Sequence, residues 1–97
     1  MKAAYLVCYD ITLRRRLSRV LKLMKGSGIH LQYSVFYCKL SWPQLQQLKT
    51  ALSALIEPAE DDIRIYPLPA AGEVVSMGRG DKIPKGVEIF LPGEGGD

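Results

Sequence analysis

The first 25 residues join an apolar run to an amphipathic stretch. Residues 3–9 are all apolar or aromatic and end at Asp10, which is typical of a core strand. After Asp10, apolar side chains recur every three or four residues, the spacing of one helix face: Leu13, Leu17, Val20, Leu21 and Met24. Thr12 is placed to cap this helix, and Gly26 and Gly28 to end it. The pattern predicts a strand followed by a helix with one buried stripe.

The middle of the chain changes to a period of two. Residues 29–40 alternate in this way, which predicts a strand long enough to be bent or doubled. Ser41 then precedes a second helical stripe, and Gln44 stands three residues later at the spacing of a capping box. Pro58 ends this helix, and residues 63–66 form the next strand.

The C-terminal third contains two short strand-like segments, residues 73–77 and 87–91. The order strand, helix, doubled strand, helix, strand is that of an α+β ferredoxin-like βαββαβ sandwich, here with one or two extra C-terminal strands. We predict that residues 1–91 form a single domain and that residues 92–97 form a flexible, acidic tail.

One face of the predicted sheet has no partner in the same chain. Two helices cover only one side of four strands, so the aromatic and β-branched residues of the other side need a second surface. We therefore predict a homodimer through the sheet faces, with a C-terminal strand at about residues 85–91 crossing to the neighbouring protomer.

Composition narrows the chemistry. The chain has 97 residues, of which 47% are hydrophobic and 24% charged, as in an ordinary soluble domain. No stretch approaches the roughly 20 apolar residues of a membrane-spanning helix, so we expect a cytoplasmic protein without membrane association. A Cys/His zinc site needs more ligands than Cys8, Cys38 and the single His30 provide. The two cysteines are expected to be buried thiols, and His30 is expected to be a strand side chain.

Charge is distributed very unevenly. Residues 1–49 carry nine Lys or Arg and a single acid, Asp10, whereas residues 50–97 carry four bases and nine acids. The cations of the first helix fan over its polar surface: Arg14, Arg15, Arg16, Arg19, Lys22 and Lys25. A basic surface around a lone carboxylate indicates phosphate binding beside a site for a divalent cation.

Three segments stand together in a particular order: Tyr9-Asp10-Ile11, residues 32–36 (Gln-Tyr-Ser-Val-Phe) and residues 63–68 (Ile-Arg-Ile-Tyr-Pro-Leu). With them the chain resembles the CRISPR-associated Cas-two family, the small protein of the spacer-acquisition machinery of antiviral defence, over residues 1–91. The resemblance implies a ferredoxin-like homodimer in which Asp10 meets its symmetry mate and the pair holds one Mg²⁺, with Mn²⁺ as the alternative. It also implies a magnesium-dependent endonuclease acting on RNA or double-stranded DNA.

The resemblance also assigns roles to single residues. Asp10 would be both catalytic and metal-binding, and the arginines of the first helix would bind phosphates, as Arg15, Arg16 and Arg19 stand in comparable places and Arg14 adjoins them. Tyr9 would either donate a hydrogen bond to a phosphate or pack against the partner. Phe36 is expected in the core. Two positions depart from the family pattern: Tyr37 stands where an acid is common, and His30 where a basic residue is common.

Simpler interpretations remain open at the level of sequence. Asp10 is also a typical strand-end residue or an acid favoured at a helix N-terminus, and the arginines are also typical of a solvated helix face. A non-catalytic alternative is an adaptor that bridges CRISPR integrase subunits and binds the captured duplex. A third is a small ferredoxin-like RNA-binding or regulatory domain, but the separation of the strand aromatics from the helix cations favours duplex backbone binding over base stacking.

Overall fold

The structure, a computed structural model, describes residues 1–70, 73–75 and 88–90. Its elements follow the predicted order: β1 Lys2–Asp10, α1 Arg14–Lys25, β2 Ile29–Gln32, β3 Val35–Ser41, α2 Trp42–Leu55, β4 Asp62–Pro67, β5 Glu73–Val75 and β6 Glu88–Phe90. The strand predicted as bent or doubled is a hairpin with residues 33 and 34 at its turn. This element order confirms the α+β class.

The four main strands form one antiparallel sheet in the order β2-β3-β1-β4. Because β1 lies between β3 and β4, its residues 5–8 have a partner on either side, as Leu6 faces Tyr37 and Tyr66. This order with two crossover helices is the predicted ferredoxin-like sandwich. The extra strands β5 and β6 pair in parallel as a separate two-stranded sheet.

The two helices begin in different ways. The predicted capping box of α2 is confirmed, since the Gln44 N–H donates to Ser41 Oγ at 3.3 Å and the Ser41 N–H donates to Gln44 Oε1 at 2.8 Å. The predicted cap of α1 is wrong. Its N-cap is Leu13, which makes no side-chain cap, because the N–H and hydroxyl of Thr12 instead bond to Asp61 and Glu60 in the turn before β4.

The core lies between the helices and one face of the sheet. Five of its side chains are fully buried: Val7, Val20, Met24, Phe36 and Cys38. Gly28, just after α1, passes so close to β3 that a Cβ there would overlap the Tyr37 carbonyl oxygen and Cys38 Sγ. The chain must therefore be glycine where it turns from α1 onto the sheet.

The expectations for the C-terminal region have different outcomes. The strand-like segments at 73–77 and 87–91 contain β5 and β6. Residues 92–97 lie outside the described residues, and the single domain over 1–91 and the crossing of residues 85–91 to a partner stay predictions. Within the part of the chain that the structure describes, no helix has the length and apolar content needed to cross a membrane.

Candidate metal and nucleic-acid site

Asp10 ends the central strand on the face of the sheet opposite the helices. Val7 and Tyr9 are buried beneath the helices, so the alternation of a strand directs Cys8 and Asp10 to the other face. Asp10 is exposed, and among residues 1–70 it makes no ion pair. Within this part of the chain, the structure thus presents a carboxylate without an ion pair at the end of an internal strand.

A second carboxylate lies directly across the ladder from Asp10. Asp62, the first residue of β4, is its partner in the β1–β4 register. The Asp62 Oδ2 accepts a hydrogen bond from Arg64 Nε at 3.0 Å, and both side chains are mainly exposed. The charge of Asp62 is therefore balanced locally. The sequence did not reveal this pair, because the register of β1 against β4 joins residues far apart in the chain.

Arg16 and Asp61 form a clamp between the start of α1 and the turn before β4. The Asp61 side chain is fully buried, and it accepts bonds from Arg16 Nε at 2.7 Å, the Glu57 N–H at 2.8 Å and the Thr12 N–H at 2.9 Å. Arg16 also bonds Glu60 at 2.7 Å. The Arg16 guanidinium, helped by the two backbone donors, holds the pKa of the Asp61 carboxyl well below its usual range despite burial.

The clamp separates the predicted phosphate-binding arginines into two groups. Arg16 is largely buried, with 15% of its side chain exposed, and its donors are committed to carboxylates, so the geometry does not support a phosphate contact for it. Arg14, Arg15 and Arg19 are exposed and make no ion pair with any described residue.

The exposed cations extend along α1. Arg15, Arg19 and Lys22 follow at intervals of four and three residues, which places them on one stripe about 10 Å long. The first turn of α1 contains no acid, and no side chain caps it. The unbonded N–H groups of that turn add partial positive charge at the end nearest Asp10.

Tyr9 does not lie on this exposed surface. Only 7% of it is accessible, and its ring packs toward Phe36 with the centroids 6.2 Å apart. Burial raises the pKa of the Tyr9 hydroxyl, and the nearby Tyr33 phenol raises it further. The predicted phosphate bond of Tyr9 is therefore not supported. Phe36 is fully buried, as expected, and the half-buried His30 ring stacks on it with the centroids 4.4 Å apart.

The hairpin turn between β2 and β3 lies at the same end of the sheet as Asp10. The Tyr9 N–H donates to the Ser34 carbonyl at 3.1 Å, which fixes the turn against the end of β1. Tyr33, beside Ser34, is 79% exposed. Tyr33 falls within the strand predicted for residues 29–40, so its exposed position at a turn is not predicted by the sequence. The sequence carries no clear signal for this turn, because apolar residues alternate without a break at positions 29, 31, 33 and 35.

The metal-binding expectation can be tested against the donor set. A carboxylate is the ligand type that Mg²⁺ prefers, so exposed Asp10 fits such an ion. Among the side chains described, no group of three or more His, Cys, Asp and Glu residues lies close enough to hold a metal. The described residues of one protomer therefore offer only part of a site, which the Asp10 of a second copy would extend.

The fold and site define a small ferredoxin-like α+β protein with an uncommitted carboxylate beside an arginine-rich helix. Residues 3–73 match the family model for CRISPR associated protein Cas2, and the chain belongs to that family. This confirms the resemblance to the Cas-two family. The chain is thus a CRISPR-associated protein.

Similar proteins support this assignment over most of the chain. A relative from Thermodesulfovibrio yellowstonii, named CRISPR-associated endoribonuclease Cas2 2, is 52% identical over 93% of this chain and 99% of its own. Another from Nitrosomonas europaea, named CRISPR-associated endoribonuclease Cas2 1, is 37% identical over 87% of this chain and 79% of its own.

Solved structures support the same fold. A hypothetical protein from Thermus thermophilus has a TM-score of 0.79 and 34% identity over 84% of this chain and 98% of its own. Cas2 from Streptococcus pyogenes at pH 6.5 has a TM-score of 0.64 and 34% identity over 68% of this chain and 86% of its own.

Proposed function

We propose that this chain is a cytoplasmic, metal-dependent endonuclease of CRISPR adaptation that works as a homodimer. Its substrate would be the phosphodiester backbone of RNA or double-stranded DNA. The relatives named as endoribonucleases support the activity. The observation that carries the proposal is the state of Asp10, which is exposed and uncommitted while the neighbouring acids Asp61 and Asp62 are neutralised by arginines.

Two Asp10 carboxylates, one from each protomer, would hold a single Mg²⁺, for which Mn²⁺ is the expected substitute. The ion would supply charge neutralisation at the phosphate and activation of water. Asp10 would fix its position at the end of β1, where the strand is still paired with β4. Arg14, Arg15 and Arg19 would bind the flanking phosphates as exposed, uncommitted cations.

The open face of the sheet supports dimerisation. Besides Asp10 and its charged neighbours, this face carries apolar or aromatic side chains that are partly accessible in one protomer: Leu6, Cys8, Ile29, Val35 and Tyr66. Ile29 and Tyr66 are 38% and 46% exposed. A second copy placed on this face would cover these side chains and bring a second Asp10 toward the first.

Substitution of Asp10 tests the proposal. Asp10→Ala should abolish cleavage of labelled single-stranded RNA or duplex DNA in Mg²⁺ or Mn²⁺, and EDTA should abolish cleavage by the wild type. Binding of the same ligands in EDTA should persist, because the arginines are unchanged. Asp62→Asn is the matched control. It removes one carboxylate at the same end of the sheet, and this variant should still cleave. Equal cleavage by wild type and Asp10→Ala would refute the catalytic role.

An adaptor role is the second candidate. It is favoured because the exposed cations Arg15, Arg19 and Lys22 make no ion pair with Asp10 and would bind DNA without it. In that case the dimer would bridge integrase subunits and hold duplex DNA without cutting it. Salt-sensitive duplex binding by both wild type and Asp10→Ala, with no metal-dependent cleavage by either, would select the adaptor.

A further inference from the structure

Tyr33 occupies a position that neither the core nor the turn explains. It is 79% exposed, so it contributes little to packing. Short hairpin turns favour Gly, Asn, Asp, Pro and Ser for their backbone preferences or side-chain hydrogen bonds, and tyrosine offers neither advantage. A large aromatic ring in water at this place is therefore available to a ligand.

The turn that carries Tyr33 is held firmly. The next residue, Ser34, has φ 67°, a left-handed conformation that non-glycine residues adopt at a cost. Its carbonyl accepts the Tyr9 N–H at 3.1 Å, and the pairing of β2 with β3 is irregular between His30 and Gln32. The turn backbone is thus fixed against the end of β1, which limits the backbone entropy lost when a ligand binds the ring.

The placement is next to the proposed nuclease site. The Ser34 carbonyl bonds to the residue that precedes Asp10, and α1 with its exposed Arg14 and Arg15 begins four residues after Asp10. The end of the sheet at which β1 finishes therefore carries an aromatic ring, a carboxylate and cations without ion pairs to any described residue. Aromatic side chains beside cations are the usual features of surfaces that bind single-stranded nucleic acid by stacking bases and contacting phosphates.

We propose that Tyr33 is a stacking platform for one unpaired nucleobase at this end of the sheet. The inference rests on the proposed function and adds a residue that positions the substrate. A paired base has both faces occupied by its neighbours in the duplex, whereas an unpaired base can place one face on the phenol ring. The arginines would bind the phosphates of either form.

The test is a comparison of affinities by fluorescence anisotropy in EDTA, where no cleavage interferes. The labelled ligands are single-stranded RNA, single-stranded DNA, an abasic DNA of the same length and a blunt DNA duplex. Tyr33→Ala should weaken binding of the two base-bearing single strands by roughly 5- to 100-fold, the range for losing one stacked base. Binding of the abasic strand and the duplex should not change.

Matched variants separate stacking from other effects. Tyr33→Phe should bind like the wild type because it keeps the ring, and Tyr33→Leu should bind like Tyr33→Ala because it keeps apolar bulk without an aromatic face. Trp42→Ala is the positional control. Trp42 is 69% exposed but follows Ser41, which pairs with Lys2 at the opposite end of β1, so its loss should leave all four affinities unchanged.

Several results would overturn the proposal. Base stacking would be excluded as the role of Tyr33 if Tyr33→Ala weakened binding of abasic and base-bearing strands equally, or changed the binding of no ligand. It would also be excluded if Tyr33→Ala dissociated a wild-type dimer in sedimentation. A wild type that binds none of the ligands would contradict the proposed function itself. A wild type that binds all of them without preference for bases would contradict only the stacking inference.

Discussion

Arg15 and Arg16 are adjacent and chemically identical, yet their surroundings give them different roles. Arg15 points to solvent from α1 without an ion pair to any described residue, whereas Arg16 is bound to Asp61 and Glu60. The planar guanidinium suits both tasks, because it forms directed bonds with phosphates and with carboxylates. Position on the helix therefore decides which arginine binds a ligand and which stabilises the fold.

Replacing each arginine in turn should separate these roles. Arg15→Ala should weaken duplex binding and reduce the slope of log K against log salt by about one, without changing the melting temperature. Arg16→Ala should lower the melting temperature, because it leaves the buried Asp61 carboxylate without its cation. Anisotropy at several salt concentrations and thermal denaturation measure the two effects. Similar behaviour of both variants in both measurements would contradict the division.

The buried carboxylate also predicts a pH dependence. The pKa of Asp61 is lowered in the folded protein, so its contribution to stability is fully present above the unfolded value of about 4 and is lost progressively as pH falls from there toward the lowered folded pKa. The free energy of unfolding in urea should decrease over this range for the wild type. Asp61→Asn and Arg16→Ala should both flatten the decrease. An unchanged slope in Asp61→Asn would show that Asp61 is not its source.

At the scale of elements, the contact between Gly28 and β3 makes a quantitative prediction. Gly28→Ala should destabilise the protein by about 1–3 kcal/mol, because its Cβ would overlap the Tyr37 carbonyl oxygen and Cys38 Sγ. Gly26→Ala is the control. Its Cβ would meet only the Leu23 carbonyl oxygen at 3.6 Å and its φ is −84°, so we expect a gain of about 0.4–1 kcal/mol. Urea unfolding of both variants would reveal any failure of this ordering.

Elements were predictable where their signals are local. The capping box of α2 depends on Ser41 and Gln44, three residues apart, and both bonds form as expected. The start of α1 was mispredicted because the Thr12 N–H bonds to Asp61, 49 residues away, and no local pattern encodes that contact. The hairpin within residues 29–40 was anticipated as a doubled strand, but its register and the left-handed Ser34 were not.

The site was predictable to a similar extent. Asp10 stood out as the lone acid among many bases, and the structure places it at an exposed strand end. The commitment of Arg16, the burial of Tyr9 and the exposure of Tyr33 depend on which strands and turns meet in space. Residue type alone could not distinguish them.

For the whole molecule, the open sheet face has a testable consequence. Tyr66→Glu would place a charge among the apolar side chains of that face, so it should convert a wild-type dimer to monomers while leaving the folded protomer intact, since Tyr66 is already 46% exposed there. Ser53→Glu, on the exposed surface of α2 across the molecule, should leave the dimer unchanged. Sedimentation and circular dichroism measure both. A dimer that persists in Tyr66→Glu would contradict the proposed interface.

The central position of β1 has a consequence for motion. This strand is hydrogen-bonded to β3 on one side and β4 on the other. Its amide protons should therefore be among the slowest to exchange with solvent, because they are released only when the sheet as a whole opens. Slow exchange should be confined to residues 5–8, which are paired on both sides, whereas Asp10 lies two residues further on and pairs with Asp62 alone. The proposed working carboxylate is thus anchored next to a rigid segment and keeps freedom to adjust to different ligands.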